Sequence, residues 1–237
     1  MKRSLAVAAL ALLLGATDAA QAQTAKAPYP TMAPIEAYRM KSRTDEIALA
    51  RSAAPAAIAK DAEILVLGSK GYESAAKGTN GFTCIVIRAW ANKFDHADFW
   101  NPKIRAPHCF NPAGARSVLP TYLKRTEWVL AGVAKDEMES RTKQAVAAKE
   151  ITPPEIGSMC YMLSKGGYLG DDVGGAWRPH LMFYLPPTEP ATWGANLPDV
   201  QVFADTGGVE PVTVFFAPVR DWSDGTPGPM PKKQMKM

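Results

Sequence analysis

A histidine at position 180 opens the apolar run 180–185, with Asp171 and Asp172 one hairpin away and Ser164 and Cys160 on the facing arm. An imidazole oriented by a carboxylate is the usual general base, and a hydroxyl or thiol beside it would complete a hydrolase. His180 with Asp171 or Asp172 is therefore the catalytic set this sequence offers. It matches no signature: there is no G-x-S-x-G elbow, and Cys160 lacks the local surroundings of a thiol hydrolase. The simpler reading of His180 is a residue at a strand end, bonded to a backbone carbonyl. A zinc site would draw on Asp95, His96, Asp98, His108, Cys109 and His180, but no H-E-x-x-H, C-x-x-C or H-x-H spacing occurs. Neither a metal nor another cofactor is expected. The glycines at 166, 167, 170, 174 and 175 lack a following G-K-[ST], and the two Asp among them would repel phosphate. Trp177, Tyr168 and Tyr184 are the candidate binding residues, since large rings with one polar tip line ligand grooves and interfaces as well as cores.

These residues need a frame. Residues 157–187 read as a long hairpin, with arms at 159–164 and 180–185 and a Gly- and Asp-rich tip at 165–178. A second pair, 200–204 and 212–217, turns through Gly207-Gly208. Upstream, the β-branched run 63–68 predicts a buried strand, 71–77 a second one, and 78–81 a turn. In 82–90, Phe82, Cys84, Val86 and Trp90 share one face while Thr83, Ile85, Ile87 and Ala89 share the other. With Arg88 the exception on the first, both faces look largely buried, as in a central strand covered on each side. A helix is expected from Ile35 or Thr44 to Ala53, closed by Pro55. Residues 91–120 look like a long irregular loop. Residues 119–150 look like one long helix, striped by Leu119, Tyr122, Leu123, Thr126, Val129, Leu130 and Val133 and stopped by Pro153-Pro154. The expected fold is α+β: an antiparallel sheet packed against one long helix, with a long irregular loop.

Met1-Lys2-Arg3, the apolar run 5–14 and Ala20-Gln21-Ala22 have the form of a secretory signal peptide cleaved after Ala22. The apolar run is too short for a spanning helix, which needs about 20 residues. The expected organisation is a signal peptide at 1–22, a Pro-rich linker at 23–34, a single domain at 35–222 and a disordered tail at 223–237. The tail lysines 232, 233 and 236 account for the positive charge left after cleavage. The body is then near neutral, without the basic stripe that nucleic acid binding needs. No membrane span remains after cleavage. An oxidising compartment permits one disulfide among Cys84, Cys109 and Cys160. Cys84–Cys109 is preferred because it would staple the irregular loop, and Cys84–Cys160 is the rival.

The segments GFTCIVIRAW (81–90), CYMLSKGGYLGDD (160–172) and PHLMFYLP (179–186) together resemble an uncharacterised family of exported bacterial proteins. The resemblance implies export and a single domain, and it carries no activity, cofactor or catalytic residue. The functional expectation is an exported periplasmic or secreted domain that binds a small molecule or an envelope protein without catalysis. An exported hydrolase built on His180 and a structural envelope protein are the alternatives.

Overall fold

Ser42 starts the first helix. Its hydroxyl accepts the Asp45 amide at 3.0 Å, and Asp45 and Glu46 occupy the first turn, where carboxylates suit the helix dipole. The computed structural model describes residues 28–171 and 177–229. The expected signal peptide at 1–22, residues 23–27 of the expected linker, Asp172 and the tail from 230 onward lie outside the described residues. After helix α1 (Arg43–Arg51) and the single turn α2 (Ala56–Ala59), β1 (Glu63–Leu67) and β2 (Tyr72–Ala76) form an antiparallel hairpin. β3 (Thr83–Ile87) then runs parallel to β1 on its other side. Next come β4 (Ala106–Phe110), helices α3 (Pro112–Ser117), α4 (Leu119–Leu130) and α5 (Lys135–Ala147), and β5 (Met159–Met162). β6 (His180–Leu185), β7 (Phe203–Thr206) and β8 (Thr213–Pro218) complete one sheet in the order β2-β1-β3-β4-β5-β6-β8-β7.

The α+β class holds, with three corrections. The sheet is mixed, because the chain leaving β2 crosses β1 and lays β3 parallel to it on the far side. The long helix is two helices. Gly132, at φ +74°, ends α4: its N–H bonds to Val129 O at 3.0 Å, and that of Val133 bonds to Trp128 O at 2.9 Å. That pair of bonds is a Schellman cap, and the left-handed residue it requires is one that glycine supplies without a Cβ clash. The irregular loop contains β4 and α3. Pro107 hid β4, since proline is foreign to a central strand. β5 pairs with β4 only at Cys109 and Phe110, so Pro107 lies outside that ladder.

The domain also outruns its expected limits. Tyr29, Met32 and Ala33 of the linker pack on the cluster around Tyr38 and Trp100, and Ala33 N–H donates to Tyr38 Oη at 3.2 Å. At the other end, Ser223 N–H donates to Leu163 O at 2.9 Å and Gly228 N–H to Arg220 O at 2.7 Å, which ties 223–229 to the body.

β3 is buried at all five positions, as a strand covered on both sides should be. On one face Ala50, Ala53 and Ala54 pack on Ile64, Val86 and the cysteines 84 and 109. On the other, Ile85, Phe110, Met162 and Tyr184 lie under Leu119, Tyr122 and Leu123. Cys84 and Cys109 are direct partners in the β3–β4 register and form the disulfide, with Cα atoms 3.9 Å apart. Where β3 ends, Arg88 is sealed in. It donates to Glu46 Oε1 at 2.8 Å and to Tyr38 O at 2.7 Å, and Glu46 also accepts Leu67 N–H at 3.1 Å. A charge this deep is tolerable only when paired and hydrogen-bonded.

Candidate functional site

The register of β4, β5 and β6 sets a row of side chains on the face beneath α4. Met162 stands opposite His180, and His108 on β4 stacks on Phe110 of the same face, ring centroids 5.6 Å apart. Each imidazole is tied in the same way. His108 Nδ1 lies 3.0 Å from Ala106 O and His180 Nδ1 2.8 Å from Arg178 O, in both cases the carbonyl two residues back. Burial pushes His108 down to about 4, against the pull of the Ala106 carbonyl, and neighbouring His180 lowers it further. Burial likewise lowers His180, against its Arg178 bond. Both rings are neutral at physiological pH.

The row forms part of the wall of a cavity of about 690 Å³ that also touches Trp177, Met182, Phe216 and Tyr122. Exposed Val200, Phe203 and Arg178 stand at its rim, and Phe203 stacks on Phe216 with centroids 4.8 Å apart. An adjoining cavity of about 290 Å³ shares Ala91, Asn92, Tyr122, Met182 and Phe216 as a wall and extends to Arg125, Tyr184 and Glu210. Among the described residues, three buried side-chain polar atoms lack a hydrogen-bond partner: Asn92 Nδ2, Arg125 Nε and His180 Nε2. All three residues line this pair of cavities. Buried polar groups are almost always paired, so three such atoms on residues around one pair of cavities single out this region. Apolar walls with a few convergent polar groups are the usual make-up of a small-molecule site.

The sequence candidates divide. His180 and Trp177 line the larger cavity and Tyr184 the smaller. Trp177 meets His180 edge-on, centroids 5.6 Å apart. Tyr168 lies elsewhere, bridged to Arg105 and donating its hydroxyl to Asp171. Asp171 accepts from Tyr168, Tyr29 and Lys103, which hold its carboxyl down to about 2, and none of its bonds among the described residues runs to His180. Ser164 Oγ pairs with Ser52 Oγ at 2.5 Å. Cys160 is the buried free thiol, 3.4 Å from Tyr184 Oη, and burial pushes it up to about 12. The six zinc candidates do not converge: Cys109 is spent in the disulfide, and no group of three metal-ligating side chains occurs among the described residues. Sequence reasoning missed Met162, Tyr122, Asn92 and Arg125 as wall residues and considered His108 only as a metal ligand. The alternation Ala106, His108, Phe110 was the available signal, masked by Pro107. No family model, curated protein or solved structure matches this chain.

Proposed function

We propose that this protein is an exported domain that binds a small, largely apolar molecule between its sheet and helix α4, without catalysis. The observation that carries the reading is that Asn92, Arg125 and His180, each with a buried polar atom that lacks a partner among the described residues, all line two adjoining cavities. A cavity of about 690 Å³ suits a small-molecule ligand. Binding is favoured over hydrolysis because the candidate thiol and hydroxyl of the facing arm, Cys160 and Ser164, are engaged with Tyr184 and Ser52, while Asp171 is engaged with Tyr29, Tyr168 and Lys103. Export is supported by the leader-like start of the chain and its resemblance to exported proteins, and a disulfide suits an oxidising compartment. No helix among the described residues is long and apolar enough to cross a membrane.

Native mass spectrometry of the protein recovered from a periplasmic extract tests both parts. The expected species lacks residues 1–22, has lost two thiol hydrogens and carries a small-molecule adduct that dissociates on activation. Retention of the leader would remove the export reading. A bare polypeptide mass that takes up no hydrophobic compound when challenged would remove the binding one.

A further inference from the structure

We propose that the ligand of this cavity carries a hydrogen-bond donor, a hydroxyl on an apolar or aromatic body, which the His108–Met162–His180 row receives. The inference rests on the binding reading above and narrows its ligand class. A backbone carbonyl can only accept, so Ala106 O and Arg178 O fix the proton of each imidazole on Nδ1. Each Nε2 is left with a lone pair and can only accept. Neither Nε2 has a partner among the described residues, and that of His180 is one of the three buried orphans. Among the described residues, no Asp or Glu lines the larger cavity. Nor do the walls favour a carboxylate ligand at this row, because its lone pairs would face those of two imidazoles that burial keeps neutral.

The spacing is also informative. The two histidines stand on β4 and β6 with β5 between them, so their Cα atoms are roughly 10 Å apart at about 4.8 Å per strand. A compound with one hydroxyl would use one ring, and an elongated diol could reach both. Met162 and Met182, whose unbranched chains adapt to irregular shapes, supply the apolar surface beside the row.

Isothermal titration calorimetry of the purified protein with a matched set tests this: 2-naphthol, its methyl ether 2-methoxynaphthalene, and 2-naphthoate. The naphthol should bind tighter than the ether by roughly three- to tenfold, the worth of one buried hydrogen bond. The anion should bind weakest. His108→Phe or His180→Phe should shrink the naphthol-to-ether ratio while ether affinity persists, which also reports that the variant is folded. Equal affinities for naphthol and ether in the unmodified protein would overturn the donor assignment and leave the apolar cavity standing. So would a preference for naphthoate, or a ratio unmoved in both variants. If none of the three binds, the cavity reading itself fails. The ratio in the unmodified protein decides even where a variant does not fold.

Discussion

Burying a neutral imidazole ties the stability of this fold to pH, and His108 gives the effect a magnitude. Its ring, buried beside Phe110 and Tyr122, is pushed down to about 4 from 6.5. Above pH 6.5 the ring is neutral in both folded and unfolded chains, and stability is at its full value. As pH falls below 6.5 the unfolded chain takes up a proton that the folded one refuses, so unfolding becomes progressively more favourable. The loss ends near pH 4, where the folded ring also protonates. Integrated over that window, the difference is roughly 3 kcal/mol. The perturbation is His108→Phe, which keeps the aromatic stack on Phe110 and removes the titration. Urea unfolding of both proteins at about pH 7.5 and about pH 4 gives four stabilities. Carboxylates titrate in the same range, but they do so in both proteins and cancel. The unmodified protein should lose roughly 3 kcal/mol more than the variant between the two pH values. Equal losses would refute the reasoning, for they would mean that the folded ring already accepts a proton near 6.5 and the site is wet or charged.

Two further outcomes follow from the fold. Reducing Cys84–Cys109, which spans a sequence separation of 25, should lower stability by roughly 3 kcal/mol in urea unfolding with and without reductant, because the closed loop no longer constrains the unfolded chain. Gly132→Ala should cost about 1–2 kcal/mol from backbone strain alone, since a Cβ there meets nothing within 4 Å while φ is +74°, and a thermal melt should report it as a lower midpoint.

Much of the frame was legible locally. The doubly apolar run around Val86, the arms read at 159–164 (where the strand ends at Met162) and 180–185, and the turn at Gly207-Gly208 announce themselves through period-two patterning and glycine chemistry, which neighbouring residues alone determine. The preferred cysteine pair was also right, although the expected cause differed: the bridge joins register partners of adjacent strands rather than clamping a formless loop. The errors arose where a local signal pointed the wrong way. Pro107 argued against a strand that its neighbours form, and the stripe from Leu119 to Val133 ran on into the Schellman turn at Gly132 without changing period.

The candidate site belongs to the other category. His180 and Trp177 were visible as residue types, but nothing in the order of the chain places His108 and His180 in one row with Met162 between them. Apart from β4, sequence alone located the main strands and the apolar face of each, because both depend on side chains at i and i+2. Only the tertiary structure decided which strands are neighbours, in what register, and which polar atoms were left without partners inside the cavities under α4. Pairing is settled by long-range burial against a common core, and a shift of one residue in the register of β4 or β6 would have turned the imidazole on that strand to the opposite face.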